Sequence, residues 1–336
     1  MITLDLFEKR LVRVLNGVVL LLCCTGALYG QNGLLATGDV HIRDPFVVVD
    51  KQSGTYYMYA SSPQRGVDGK TLGGVAVYKS KDLKMWEGPK LVFTVPDDNW
   101  ITGTVWAPEV HEYNGRYYLF ATLNSDIEWK KQKQGWPKYT FRSTQVFQAL
   151  SPEGPFVPFS RFPHTPMDYM ALDGTLWVED GTPYMVFCHE WVQVVDGTME
   201  VVQLKPDLSA PVGQPTILFN ASSAPWTPEG RESYVTDGCF LFRTKTGKLL
   251  MIWSSFGLEG YAIGIAESKT GTIFGPWQQQ PETLFSRDGG HGMIFRTLDG
   301  KLCLVLHQPN SGQAERAHFF ELEDTGETLK IKQKIK

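Results

Sequence analysis

ALDGTLWVEDGTPYMVF, residues 171–187, is the clearest copy of a pattern that recurs along this chain. It begins with an acidic residue beside a glycine, Asp173 and Gly174, and continues as two apolar runs separated by Asp180 and Gly181. Alternation with a period of two is typical of a half-buried strand, and Asp-Gly between two such runs is typical of a tight turn. The segment therefore predicts a β-hairpin with a carboxylate at its entrance.

Four further hairpins of this type follow one another at a nearly constant interval. They begin at Asp44, Ala107, Asp237 and His291; with the hairpin at Asp173 between the second and third of these, successive starts are roughly 54 to 66 residues apart, and a third strand candidate follows each hairpin. Gly-Pro turns suited to an outer edge strand come next in three copies, at residues 88–89, 154–155 and 275–276. Five repeats of this length predict an all-β, five-bladed β-propeller with little helix.

The composition excludes some classes of partner. The net charge is −4, and no long basic cluster interrupts the chain before residues 330–336, so nucleic acid is not an expected partner. Ten tryptophans, 13 tyrosines and 19 phenylalanines can fill a large core and still leave aromatic faces for a ligand. The sequence leaves the oligomeric state open.

The first 30 residues predict a secretory signal peptide. Basic residues precede an apolar run and then small residues, and this run is too short for a membrane span. Cys23 and Cys24 lack a preceding small residue, which disfavours lipid anchoring. We therefore expect a secreted or periplasmic protein in which residues 31–336 form a single propeller domain.

Three cysteines remain after residue 30, namely Cys188, Cys239 and Cys303. Their number is odd, their spacing does not suit a metal, and apolar residues flank each of them. Buried free thiols are the preferred interpretation.

Several polar residues are expected to meet at the mouth of the channel. The inner strands of a propeller line a central channel, and Asp44, Asp173, Asp237 and His291 each stand at the start of a repeat, which we interpret as one shared phase. Three carboxylates in a funnel rich in aromatic residues suit either metal binding or acid and base chemistry on an uncharged polar substrate such as a sugar.

Residues 43–45 (RDP), 106–110 (WAPEV), the Asp173 hairpin and residues 290–292 (GHG) together resemble glycoside hydrolase family 43, whose members are five-bladed propeller glycosidases. The resemblance covers residues 38 to about 325. It implies inverting hydrolysis, with Asp44 as the general base, Asp173 as the residue that orients the acid and raises its pKa, and Asp237 as the general acid.

The general acid is where the sequence departs from this family. The usual Glu-Gly-Pro is replaced by Asp237, Gly238 and Cys239, and aspartate is one methylene shorter than glutamate. Inversion needs carboxyl groups roughly 6.5–9.5 Å apart, so Glu232 in the preceding loop is the second candidate, with Glu229 beside it. Loss of hydrolytic activity is the third alternative.

Other residues are candidates for substrate or metal binding. Trp106 is expected to stack on a sugar ring and Glu109 to contact substrate, and either could instead be structural. His291 resembles the family's channel histidine, which lies near a bound calcium or water; a structural histidine is the alternative, and no cofactor is required. Further sets with both a functional and a structural interpretation are Trp100 and Trp226, residues 189–191, and residues 126–139 as a rim or a solvated insertion.

The resemblance therefore implies an exported hydrolase whose partner is an oligosaccharide or polysaccharide. We expect it to act on plant-type pentose glycans, first of all as an α-L-arabinofuranosidase. The alternatives are a β-xylosidase and a non-catalytic carbohydrate-binding propeller.

Overall fold

The computed structural model describes residues 33–65, 71–101 and 103–335. These residues form five antiparallel sheets and one small separate hairpin. The expected signal peptide at residues 1–30 lies outside the described residues. Within the described ranges, no helix is both long and apolar enough to cross a membrane.

Strands account for nearly all of the regular structure. In chain order they are β1 (Leu35–Ala36), β2 (Phe46–Asp50), β3 (Thr55–Ser61), β4 (Gln64–Arg65), β5 (Thr71–Leu72), β6 (Gly74–Ser80), β7 (Met85–Thr94), β8 (Thr104–Tyr113), β9 (Arg116–Lys130), β10 (Tyr139–Ala149), β11 (Val157–Pro158), β12 (Ala171–Glu179), β13 (Thr182–His189), β14 (Thr198–Leu204), β15 (Pro211–Asn220), β16 (Asp237–Arg243), β17 (Leu249–Gly257), β18 (Gly260–Ser268), β19 (Trp277–Gln279), β20 (Gly290–Arg296), β21 (Leu302–Gln308), β22 (Arg316–Asp324) and β23 (Leu329–Lys334). The helical segments described are one α-helix, Trp191–Val194, and three 3-10 turns, Thr37–Asp39, Ala221–Ser223 and Gly312–Ala314.

The five sheets are the blades of a propeller. The innermost strands are β2, β8, β12, β16 and β20, and each blade continues outward through three more antiparallel strands. Strand β1 adds a fifth strand to the outer edge of blade 1, beside β7. Each inner strand contacts the next, and β20 contacts β2, so the sheets close into a ring. The predicted five-bladed all-β fold is confirmed.

The predicted turns explain how the chain reverses within a blade. In the β12–β13 turn, Asp180 and Gly181 have φ of 49° and 78°. Two consecutive residues with positive φ suit the tight turn whose twist matches that of the flanking strands. The Gly-Pro pairs lie within β7 or just before β11 and β19, the outer strands where a missing N–H is tolerated.

Apolar contacts join the first and last blades. Trp86 of blade 1 stacks on Phe319 of blade 5, with ring centroids 6.2 Å apart. The backbone N–H of Leu298 also donates to the hydroxyl of Tyr56 across this junction (2.8 Å). The three cysteines predicted to be buried free thiols are buried and unpaired.

Candidate active site

Each inner strand is entered through one residue with a left-handed backbone. These residues are Asp44, Ala107, Asp173, Gly238 and His291, with φ of 51°, 40°, 56°, 46° and 50°. In β8, β12, β16 and β20 the strand pairing shifts at this residue, which marks a bulge. Bulges redirect side chains and are common beside active sites. A left-handed conformation costs a non-glycine residue about 1–2 kcal/mol, so the surrounding structure must hold these entrances in place.

The expectation that Asp237 shares the phase of Asp44 and Asp173 is wrong by one residue, because Gly238 occupies the left-handed place in blade 4. A Cβ atom on Gly238 would lie 2.7 Å from Cγ of His291, so a side chain does not fit there. Asp237 therefore corresponds to the residue that precedes the left-handed place in the other blades.

These preceding residues point toward a shared cavity. Arg43, Trp106, Leu172 and Asp237 all line a cavity of about 480 Å³, together with Asp44, Asp173 and His291. The shift of one residue thus leaves Asp237 at the site, and the structure brings together the three predicted carboxylates and the predicted histidine.

Asp44 is held among cationic and histidine side chains. Its Oδ1 lies 3.3 Å from Nδ1 of His291 and 3.1 Å from Nδ1 of His307, and its Oδ2 lies 3.6 Å from Nε of Arg43. Burial alone would raise the pKa of Asp44, but His291, His307 and Arg43 together hold it well below its ordinary value. An ionised carboxylate that lines the cavity suits a general base.

Asp173 has a different environment. It is almost fully buried, and its Oδ2 accepts a hydrogen bond from the backbone N–H of Gly238 (3.0 Å). Burial, followed by the charges of Asp237 and Asp44, raises the pKa of Asp173 well above its ordinary value. The raised pKa favours the protonated form of Asp173, whereas the sequence led us to expect that Asp173 raises the pKa of the acid.

Tyr261 is a site residue that the sequence did not reveal. Its hydroxyl donates a 2.7 Å hydrogen bond to Oδ2 of Asp237. Burial, and then the charges of Asp237 and Asp44, raise the pKa of Tyr261 well above its ordinary value, so it remains a donor. Tyr261 opens a predicted strand, but no local pattern pairs it with Asp237, because strand β17 lies between β16 and β18.

The structure does not bring Glu232, the second candidate for the acid, to this cluster. Its side chain is 75% exposed, and its Oε1 lies 3.0 Å from both Nζ of Lys133 and Nε1 of Trp136. These two hydrogen bonds lower the pKa of Glu232, which opposes a role as proton donor. Glu229 is exposed as well.

Trp106 lies where a sugar-stacking residue is needed. Its side chain lines the cavity and is 41% exposed. The guanidinium of Arg142 lies 4.3 Å from the ring centroid and also pairs with the buried carboxylate of Glu190. Glu190 and Trp191 line the cavity too, which favours the functional interpretation for these two members of the segment 189–191.

Three other candidates do not line the cavity. Trp226 is 9% exposed and packs on Trp253, with ring centroids 4.9 Å apart. The indole N–H of Trp100 donates to Oε1 of Gln145 (2.8 Å). Glu109 is buried, with its carboxylate 2.8 Å from Nε2 of His111. The substrate-binding interpretation of these residues is therefore replaced by packing and pairing roles.

The segment 126–139 extends the β9–β10 hairpin over the entrance side. Gln132 donates to the carbonyl of Val192 (2.8 Å), and the ring of Trp136 meets that of Trp191 edge-on at 5.2 Å. Because Trp191 lines the cavity, this hairpin forms part of the rim rather than a free insertion.

Asp173, Asp237 and His291 could hold a metal ion. One ligand atom from each lies within 4.8 Å of the others. Calcium prefers six to eight oxygen ligands, so two carboxylates and one imidazole nitrogen would need several waters to complete its shell. Calcium in the channel stays a prediction.

Comparisons with known proteins agree with this arrangement. Residues 37–328 match the family described as glycosyl hydrolases family 43. The probable arabinan endo-1,5-alpha-L-arabinosidase C of Aspergillus niger is 26% identical over 266 residues, which cover 76% of this chain and 74% of that protein.

Solved structures are similar over most of their length. The endo-arabinase of Bacteroides thetaiotaomicron has a TM-score of 0.74 and 39% identity, over 86% of this chain and 96% of that one. A thermostable family-43 glycoside hydrolase, at 24% identity and a TM-score of 0.72 over 87% of this chain and 93% of that one, shares the fold. The chain therefore belongs to glycosyl hydrolase family 43 and is an inverting glycosidase that hydrolyses glycosidic bonds.

Proposed function

We propose that this enzyme cleaves α-1,5-linked L-arabinan within the chain, as an endo-arabinanase. Two relatives, the Aspergillus niger protein at 26% identity and the Bacteroides thetaiotaomicron enzyme at 39% identity, are named for internal cleavage of arabinan, which supports both the sugar and the position of the cut. The expected α-L-arabinofuranosidase shares the sugar but would remove single units instead.

One observation carries the proposal: three carboxylates in one cavity have unequal surroundings. The pKa of Asp44 lies below its ordinary value, whereas that of Asp173 lies above it. Asp44 suits the base, and Asp237, whose carboxyl lines the same cavity and accepts a hydrogen bond from Tyr261, is the remaining carboxyl group for the acid. The open cavity of about 480 Å³ offers room for a pentose beside them.

The proposed reaction assigns one task to each carboxyl group. Asp44 takes a proton from a water that attacks the anomeric carbon, and Asp237 donates a proton to the glycosidic oxygen on the other face. Asp173, buried beside Asp237 and held by the backbone N–H of Gly238, orients the donor. Trp106, backed by Arg142, offers its exposed face to the sugar ring.

The test compares polymeric and small substrates. Purified protein is incubated with linear α-1,5-arabinan, with xylan, and with nitrophenyl α-L-arabinofuranoside and β-xyloside. We expect a fast fall in arabinan viscosity, products of intermediate length and an inverted anomeric configuration by NMR. Asp44→Asn protein controls for contaminating activity.

Other outcomes select the alternatives. Release of arabinose alone from chain ends supports the arabinofuranosidase, and preferential cleavage of the xyloside supports the xylosidase. Binding of glycan with no cleavage supports the non-catalytic propeller. In this proposal residues 1–30 direct export, which cell fractionation of the full chain and of a chain lacking these residues would test.

A further inference from the structure

The proton donor in blade 4 has a buried neighbour that compensates for its short side chain. We propose that Tyr261 is a positioning residue, whose hydroxyl holds the carboxyl of Asp237 in place and reserves its Oδ1 for the transferable proton. The proposal rests on the assignment of Asp237 as the proton donor. It adds Tyr261 as the residue that allows the shorter aspartate side chain to act as the acid.

The phenol is fixed in a slot between blades 4 and 5. Tyr261 is 1% exposed, and its ring stacks on His307 at 5.7 Å with an interplanar angle of 22°. Blade 5 leaves room for this ring, because the residue that precedes its left-handed place is Gly290. A Cβ atom on Gly290 would lie 2.4 Å from Cε1 of Tyr261.

This slot aligns the hydroxyl with one oxygen of Asp237. The hydrogen bond runs from the Tyr261 hydroxyl to Oδ2 at 2.7 Å, the length of a strong O–H···O contact. Tyr261 keeps its proton, since burial raises the pKa of its phenol well above the ordinary value. With Oδ2 engaged as an acceptor, the proton delivered to the glycosidic oxygen resides on Oδ1. The hydroxyl then stabilises the carboxylate that remains after transfer.

Charged and titratable groups from blades 1, 3, 4 and 5 line the cavity around Asp237, and Arg142 of blade 2 lies behind Trp106 and pairs with Glu190. Those that line the same cavity are Arg43, Asp44, Asp173, Glu190, Tyr261 and His291. Of these, Tyr261 donates a hydrogen bond to the Asp237 carboxyl, and its removal leaves the other charges unchanged.

The test is Tyr261→Phe, which keeps the ring and its packing but removes the hydroxyl. We expect kcat for arabinan to fall about 10- to 100-fold, the effect of losing a hydrogen bond to a charged group, with little change in KM. The alkaline limb of the pH–rate profile should move up by about one unit, because the ionised donor loses a stabilising contact. The loss should be smaller on a nitrophenyl glycoside, whose leaving group needs less protonation.

Tyr59→Phe is the matched control. Tyr59 is also fully buried and donates a 2.7 Å hydrogen bond, but to the carbonyl of Pro152 in the neighbouring blade. We expect it to lower the melting temperature without altering kcat or the pH profile. If Tyr261→Phe changes only stability, as this control does, Tyr261 is structural and the proposal is overturned.

A double variant tests whether the phenol compensates for the length of the aspartate side chain. In the Tyr261→Phe background, Asp237→Glu adds a methylene where the hydroxyl was, and we expect it to recover part of the lost kcat. No recovery, with the double variant folded, contradicts the idea that the phenol compensates for side-chain length. These comparisons use whichever glycoside the wild-type protein cleaves, so a wrong substrate assignment shows in the wild type alone.

Discussion

Two carboxylate clusters lie on the entrance side of the ring, and they differ in what surrounds each charge. The axis cluster consists of Asp44, Asp173, Asp237 and His291, and the rim cluster consists of Lys133, Trp136, Trp191 and Glu232. The side chain of Asp44 is 11% exposed and that of Glu232 is 75% exposed. In the axis cluster His291 lies 3.3 Å from Asp44 and 3.8 Å from Asp173, and Asp237 adds a third carboxyl group nearby, whereas in the rim cluster the single carboxylate has two donors of its own.

This contrast explains why a longer side chain does not make a better acid. A proton donor must keep its proton near neutral pH, which burial and neighbouring carboxylates promote. Exposure and a lysine at 3.0 Å do the opposite for Glu232. As a proton donor, Asp237 therefore gains more from its buried position at a blade entrance than it loses by having one methylene fewer than glutamate.

The largest effect should come from Asp44→Asn. Asparagine keeps the shape of the side chain but cannot take a proton from water, so we expect kcat on arabinan to fall about 10²- to 10⁴-fold. Circular dichroism and thermal melting should show a folded protein. Near-normal turnover would remove Asp44 from the mechanism and make the axis cluster structural.

Asp237→Asn should have the next largest effect, and one that depends on the leaving group. We expect a loss of about 10²- to 10³-fold on arabinan, because the departing sugar oxygen needs a proton. A nitrophenyl glycoside leaves without protonation, so its kcat should fall far less. Equal losses on both substrates would show that Asp237 does not donate the proton.

Gly238→Ala tests how tightly the axis cluster is packed. The added Cβ would meet His291 at 2.7 Å in a backbone with φ of 46°, and we expect a loss of about 2–3 kcal/mol in the free energy of unfolding. Gly247→Ala is the control: its φ is 89°, but no atom lies within 4 Å of the position that its added Cβ would take. Denaturant unfolding should show a loss of about 1 kcal/mol for the control; equal losses would mean that backbone strain alone explains the glycine.

The sequence predicted the blades better than the details of their entrances. Apolar alternation and Asn-Gly or Asp-Gly turns are local signals, so the hairpins and their repeat could be found without tertiary information. The position of an acidic residue at the start of an inner strand was likewise a sufficient signal to predict that Asp44 and Asp173 lie close together.

Residue register at the entrances could not be predicted in the same way, because one dipeptide adopts two arrangements. In blade 3 the left-handed residue is Asp173 and not Gly174, whereas in blade 4 it is Gly238 and not Asp237. A Cβ atom on Gly174 would meet Thr144 at 2.7 Å, and one on Gly238 would meet His291. In both blades the glycine packs against a residue of a neighbouring blade, and the sequence around the dipeptide carries no signal for that contact. Tyr261 was missed for the same reason.

Glu232→Gln should have the smallest effect and is the sharpest test of the contrast. Glutamine keeps an oxygen that can accept from the indole N–H of Trp136 and loses only the charge that faces Lys133. Exposed ion pairs contribute little and are screened by salt, so we expect kcat/KM to change by less than about twofold, with an unchanged pH profile. A loss above about tenfold, together with a missing alkaline limb, would identify Glu232 as the proton donor. The loop between β15 and β16 would then have to bring the exposed carboxylate of Glu232 into the cavity during turnover, and the buried surroundings of Asp237 would no longer explain the choice of acid.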